Sequence, residues 1–324
     1  MWFTITRCGW QAKAMRDTAQ SDHYRNPNTL LGLLAILLWS STVALARRIS
    51  EQLGPLTAGA AVYLAASLFL AALYWAKERS FRKLWRLPRR YVLGCGGLFV
   101  LYTLAIFVAL GRAVDRGQTM EVGLLNYLWP ALTILFSLWL LGRRASFGLV
   151  PGTLLALSGV VLVLTQGAVS WASFATNILR NPLAYGLGLV AAVSWGLYSN
   201  LARRWGTADS DGAVLVFTLA TGLAFAGMRL LRPEAGSVNA RVLGEVAFLA
   251  SATALGYLFW DMAMRKGNVM LVAACSYLTP FFSTVVSTIY LRVVPTVNLW
   301  LGCALIIAGS FLSWRSIHPE EAVQ

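Results

Sequence analysis

Ten apolar segments, each long enough or nearly so to cross a bilayer, constrain this chain more than any other feature. They run over 30–48, 57–76, 91–111, 119–141, 148–166, 183–202, 212–231, 243–264, 268–291 and 296–314. About 20 apolar residues in helical form match the thickness of the hydrocarbon core. The short alternating stretches of an outer-membrane barrel are missing, so the segments read as helices. Composition agrees: 58% of residues are hydrophobic and 12% charged, against about 25% charged in a soluble domain. The net charge is +14, but the cations sit in short connections between apolar runs. That is the pattern of membrane topology signals, not of a nucleic-acid binder.

With the N-terminus in the cytoplasm, most of the 27 Lys and Arg residues fall on the inner side. The decisive group is Lys77, Arg79, Arg82, Lys83, Arg86, Arg89 and Arg90, between the second and third segments. Both termini are then cytoplasmic, in a bacterial inner membrane. Residues 1–28 form a polar tail with no signal-peptide pattern, and 316–324 form a second tail. Cys95, Cys275 and Cys303 lie inside apolar runs and read as small buried residues. No metal-ligand spacing, phosphate loop or nucleophile elbow is present, so neither a metal, a cofactor nor an enzyme activity is expected.

The chain repeats itself. Trp39…Ala46-Arg47-Arg48 matches Trp195…Ala202-Arg203-Arg204, Asn126-Tyr-Leu-Trp-Pro130 matches Ser276-Tyr-Leu-Thr-Pro280, and Gly152 and Gly159 match Gly302 and Gly309. The halves are 29–167 and 183–315, joined by a periplasmic linker at 168–182. Each half holds five helices. Five is odd, so the two halves sit inverted in the membrane, an arrangement typical of transporters.

The matched segments 119–141 and 268–291 are the expected centre. Asn126, Trp129, Thr133 and Ser137 fall within about 80° of one helix face, and Ser276, Thr279, Ser283 and Ser287 repeat the stripe. Pro130 and Pro280 are the prolines in the middle of segments. Each removes a backbone donor and marks a bending point. Pro130 frees the carbonyl of Asn126, and Pro280 that of Ser276, as acceptors for a substrate or for a neighbouring Ser or Thr. Broken helices with polar faces at corresponding places in two halves point to a transport site.

Over residues 30–314, Glu121-Val-Gly-Leu-Leu-Asn-Tyr-Leu-Trp-Pro-Ala-Leu-Thr133 and Lys266-Gly-Asn-Val with Ser276-Tyr-Leu-Thr-Pro280 resemble bacterial aromatic amino acid exporters. Those exporters belong to the drug/metabolite transporter superfamily and are built from paired EamA-type repeats. The resemblance implies ten helices around a central cavity lined mainly by the third, fourth, eighth and ninth. It also implies export of aromatic and other neutral amino acids. A superfamily exporter of other small metabolites or drug-like cations is the alternative reading. A membrane sensor is a third, and the chain carries no soluble signalling domain to favour it. The partners expected are a small-molecule substrate and the lipid bilayer.

Trp129, on the stripe and mid-segment, is the leading residue for stacking a substrate ring. Asn126 is the leading polar contact, since an amide in hydrocarbon needs partners that lipid does not supply. Tyr127, Ser276, Tyr277 and Thr279 complete the matched set. Trp39 and Trp195 are mid-helix and either line the cavity or pack the bundle. Tyr102 in the third segment and Trp260 in the eighth join them because the resemblance puts those helices at the cavity; Tyr257 is weighed with them. Asp261 is the deepest acid, and Arg265 stands four residues later in the favourable direction for a helical pair, so it is either a structural partner or a coupling group. Glu121 opens the fourth segment and is expected to meet water.

Inversion of the halves makes a topology prediction. A cysteine at Arg47 should react with an impermeant thiol reagent from the periplasm, and one at Arg203 only from the cytoplasm. Labelling of both from one side would refute the inversion.

Overall fold

The computed structural model describes residues 26–165, 171–207, 209–283, 285 and 297–316. The N-terminal tail before residue 26, Ser287 and the tail after residue 316 lie outside them, as do the side chains of Arg47 and Trp171. Among the described residues the architecture is all-helical: α1 Pro27–Leu53, α2 Pro55–Glu78, α3 Gly96–Arg112, α4 Arg116–Asn126, α5 Trp129–Leu140, α6 Leu149–Thr165, α7 Trp171–Arg180, α8 Pro182–Trp205, α9 Ala213–Leu231, α10 Ala240–Lys266, α11 Val269–Cys275 and α12 Val297–Arg315. Among the described residues six stretches are long and apolar enough to cross a membrane: Pro55–Glu78, Tyr91–Arg112, Gly117–Leu140, Ser210–Leu231, Ala240–Lys266 and Val297–Arg315. Shorter apolar helices are Pro27–Ser40, Leu149–Thr165 and Val269–Ser283. The helix α8 exposes Leu183, Leu189 and Val190 on one side and packs a partly polar face against protein on the other. It buries Ser194, Ser199 and Asn200 together with Trp195 and Tyr198, residues that lipid would not accommodate.

Local chemistry explains the starts and stops. Pro27, Pro55 and Pro182 stand at the first turns of α1, α2 and α8, where the missing N–H costs nothing. Asn26, Asp115, Asn239 and Asn268 cap helices by accepting from Asn28 N, Gln118 N, Val242 N and Leu271 N at 2.8–3.0 Å. The chain between α1 and α2 turns at Gly54, whose φ of 80° favours glycine. There the Glu234 carboxylate accepts from Leu56 N and Thr57 N at 2.9 and 2.8 Å, placing an anion on the positive end of α2.

The fourth segment breaks at Tyr127 and Leu128, and α5 resumes with Pro130 in its first turn. The equivalent segment breaks into a 3₁₀ turn over Ser276–Leu278 and resumes at Thr279, beside Pro280. The break thus falls just before each proline, whose ring cannot follow a regular helical turn.

The most extensive helix packings are α6 with α12, α1 with α10, α2 with α9 and α3 with α8. Exchanging the two halves maps this set onto itself, as a pseudo-twofold relation requires. The α6–α12 seam is the tightest: a methyl group on Gly159 would lie 2.6 Å from the Gly302 carbonyl oxygen, and one on Gly309 would lie 2.6 Å from that of Gly152. Gly159 faces Gly302 while Gly152 faces Gly309, so these repeat-equivalent helices run antiparallel. Small residues let helix backbones approach where burial from water supplies no driving force.

One helix was not legible as such. The span 168–182 contains α7, whose Phe174 and Ile178 pack against a core of Ala109, Val122, Ala184 and Tyr185.

The seam makes a stability prediction. Gly159→Leu should overpack the backbone contact and destabilise by about 1–3 kcal/mol or more. Gly97→Leu should be near neutral, since Gly97 is exposed and a Cβ there meets nothing within 4 Å. Thermal unfolding in detergent compares them, and equal midpoints would refute the seam's importance.

Candidate functional site

Four tryptophans from four helices meet in the middle of the bundle. Trp39 on α1 lies 5.7 Å from Trp195 on α8 and 5.2 Å from Trp260 on α10, ring centre to ring centre. Trp129 on α5 stands edge-on to Trp260 at 5.3 Å and to Trp195 at 6.4 Å. Tyr102 on α3 lies 4.6 Å from Trp195. Phe99, one turn earlier, lies 4.7 Å from Tyr257, and the Tyr257 hydroxyl is 2.8 Å from that of Tyr63. Edge-to-face and tilted contacts at these distances suit the ring quadrupoles. Trp129, Trp195 and Trp260 are all 5% exposed or less, so the rings fill the centre in this conformation.

Asn126 ends α4 beside this cluster, near the Tyr102 hydroxyl. Its Oδ1 is buried and makes no hydrogen bond. Four hydroxyls of the two stripes are spent on their own helices: Thr133 Oγ1 donates to Trp129 O at 2.7 Å, Ser137 Oγ to Ile134 O at 2.7 Å, Ser276 Oγ to Ala273 O at 2.5 Å and Thr279 Oγ1 to Ser276 O at 2.7 Å. The Ser276 carbonyl that Pro280 exposes is therefore taken by Thr279. Tyr277 is buried away from the tryptophans, in a core with Ile134, Val160, Met270 and Ile306, and Tyr127 packs at its margin. The structure thus gathers Trp39, Tyr102, Asn126, Trp129, Trp195 and Trp260, while Tyr127 and Tyr277 lie in the neighbouring core.

Below the rings is a buried ionic network. Asp261 is fully buried. Its Oδ2 accepts from Arg265 Nε at 2.7 Å, and its Oδ1 from the hydroxyls of Tyr91 and, at 3.1 Å, Tyr198. A π-turn over Tyr91–Cys95 leads into α3 and carries Tyr91 to this position. Arg265 also donates from Nη1 to Thr207 O and from Nη2 to Asp211 Oδ1, both at 2.8 Å. Asp211 in turn receives Lys266 at 3.0 Å and Lys77 at 3.1 Å. Each charge is met by opposite charge and hydrogen bonds, which burial requires.

The expectation for Glu121 is overturned. It is only 2% exposed, and its carboxylate accepts from the Tyr185 hydroxyl and, at 3.2 Å, from Asn177 Nδ2. Helix α7 supplies Asn177 and covers this end of α4, displacing the water a sequence end would otherwise meet.

A model of the EamA-like transporter family matches residues 27–165 and again residues 182–315. The chain belongs to this family. Among EamA relatives, the aromatic amino acid exporter YddG of Escherichia coli (strain K12) is 33% identical over 90% of this chain and 97% of its own. Its counterpart in Salmonella typhimurium is 33% identical over 88% of this chain and 96% of its own. The one from Ancylobacter novellus is 34% identical, over 88% and 96%. A crystal structure superposes with a TM-score of 0.77 at 30% identity, covering 89% of this chain and 98% of the other.

Several parts of this EamA site escaped the sequence reading: Phe99, Tyr63, Tyr198 and Tyr91, and Asn200, whose Nδ2 donates to Thr133 O and Gly196 O at 2.9 Å. A signal was there. Phe99 and Tyr102, Trp195 and Tyr198, and Tyr257 and Trp260 are all aromatic pairs three apart, a spacing that puts both rings on one helix face.

The network predicts that Asp261→Asn leaves the Arg265 guanidinium buried against a neutral amide. Stability should fall by up to about 3 kcal/mol, read as a lower unfolding midpoint in detergent. An unchanged midpoint would show that the pair contributes nothing.

Proposed function

We propose that this protein exports aromatic and other neutral amino acids across the bacterial inner membrane by alternating access. The observation that carries this reading is the ring cluster drawn from α1 and α5 of one half and α8 and α10 of the other, with the unspent Asn126 Oδ1 at its edge. A closed cluster of indoles offers an entering aromatic side chain the same edge and face contacts that the rings make with one another. Exchange of one ring partner for another costs little, so a substrate can enter and leave. In this reading the Asn126 amide oxygen accepts from a substrate ammonium group. The names of the relatives support the same substrate class.

In this reading ten helices cross the membrane, with both termini cytoplasmic. Residues 29–167 and 183–315 are inverted five-helix halves joined by a periplasmic linker, 168–182. The substrate-binding set is Trp39, Tyr102, Asn126, Trp129, Trp195 and Trp260, with Trp129 and Asn126 making the main contacts, while Tyr127, Ser276, Tyr277 and Thr279 belong to the two helix breaks. The halves rock about the closed centre, bending at the breaks beside Pro130 and Pro280. Asp261 serves as a structural anion, paired with Arg265, and transport runs downhill with weak coupling to protons. That pairing also removes the free intramembrane acid that a carrier of drug-like cations would use.

The test is initial export rate in proteoliposomes with a panel of amino acids, with and without a pH gradient. Trp129→Ala should slow transport of tryptophan and phenylalanine by roughly 2- to 10-fold, from loss of about 0.5–1.5 kcal/mol of ring contact. Alanine and similar small substrates should be affected less. Equal losses for every substrate with normal folding would make Trp129 a packing residue only.

A further inference from the structure

The connection between α2 and α3 is a built surface. Arg79 ends α2 in the left-handed conformation, φ 54°, which a non-glycine residue rarely adopts. That turn brings Phe81 back onto Tyr74 and Trp75, at 6.0 and 5.5 Å between ring centres. A single 3₁₀ turn follows over Arg82–Arg86. Its inner side is anchored: Leu84 lies against Gly212 at the start of α9, and Leu87 is buried in the main core. Its outer side presents Trp85, 90% exposed, between Arg82, Lys83 and Arg86.

Among the described residues Arg112, Arg144, Arg180, Arg204 and Arg232 are also exposed and make no ion pair, but they are scattered along the chain, whereas the cations around Trp85 are crowded into one connection. Arg265, Lys266 and Arg48 pair with carboxylates. Among the described residues, Arg79, Arg82, Arg86, Arg89 and Arg90 make no ion pair and are exposed, and only Lys83 of this loop meets an acid, Glu78. Beside the loop, Leu70, Leu73, Tyr74, Lys77, Asp211, Gly212, Leu215, Leu258 and Met262 line a crevice of about 120 Å³ between α2, α9 and α10, mainly apolar with Lys77 and Asp211 among its walls. Orientation in the membrane needs only charge. It does not need a rigid turn, an outward tryptophan or an amphiphilic crevice.

We propose that this connection binds the headgroups of anionic phospholipids, with Trp85 seated among the headgroups and the unpaired arginines on the phosphates. Clustered arginines immediately beyond a membrane span attract anionic lipid, arginine meets phosphate with two parallel donors, and tryptophan favours the headgroup level. An acidic protein would satisfy the charge. It would not account for an aromatic group of Tyr74, Trp75, Phe81 and Trp85 at the end of a membrane helix.

The experiment is native mass spectrometry of the full chain in detergent micelles, titrated with phosphatidylglycerol, with phosphatidylcholine, or with phosphatidylglycerol in competition with inorganic phosphate. Saturable binding of phosphatidylglycerol in preference to phosphatidylcholine, not displaced by phosphate at matched concentration, is expected. Replacing Arg82, Arg86 and Arg89 together by Gln should weaken it about tenfold or more. The same loss of charge at the other end, Arg112, Arg180 and Arg232 to Gln, should leave it intact. Trp85→Ala keeps every cation, and therefore the topology signals, and should weaken binding severalfold. Equal binding of phosphatidylcholine, displacement by inorganic phosphate, or unchanged affinity in both loop variants would overturn the proposal.

Discussion

Hydrocarbon supplies no hydrogen bonds, and almost everything in this structure follows from that. Every backbone group inside the membrane must find a partner in the protein, so the chain is helical wherever it meets lipid. Two interruptions among the described residues, at Tyr127–Leu128 and at Ser276–Leu278, precede the two prolines, and at the second Thr279 takes up the Ser276 carbonyl. Polar side chains obey the same rule. Thr133, Ser137, Ser276 and Thr279 return their hydroxyls to their own helices, and Asp261 collects donors from three helices. Asn126 Oδ1 is one of several buried polar atoms without a hydrogen bond, with Asn200 Oδ1 and the Ser310 and Ser313 hydroxyls among the others; it is the one that lies beside Tyr102.

The two networks at the ends of the bundle divide the labour differently. At one end, Arg265 joins α10 to the connection between α8 and α9, and Lys77 adds α2. At the other, Glu121 is held only by neutral donors, Tyr185 and Asn177. The first is an assembly of full charges with little room to rearrange singly. The second exchanges hydrogen bonds among neutral groups, and such bonds cost less to trade.

What the sequence carried and what it did not can be told from particular residues. Apolar length and proline position located the long apolar helices and both breaks, because these are properties of a single stretch. The glycine pairs marked the repeat, but that they face one another across α6 and α12 came only with the structure. The Asp261–Arg265 pair was legible from its spacing along one helix. Tyr91, Tyr198 and Asp211 were not, for they arrive from other elements. Glu121 was misread for the same reason: its cover, α7, is a short helix whose apolar positions Phe174 and Ile178 are too few to register as a segment. In the ring cluster, single tryptophans were read one at a time, whereas the informative unit was the aromatic pair three residues apart.

The glycine seam has a further consequence. Gly152 and Gly159 of one half meet Gly309 and Gly302 of the other, each facing its partner's equivalent across antiparallel helices. A surface of that kind is self-complementary: one half-chain inserted upright could meet a second copy inserted upside down through the same contact. A side chain added at Gly159 or at Gly302 would therefore open the same contact from either half.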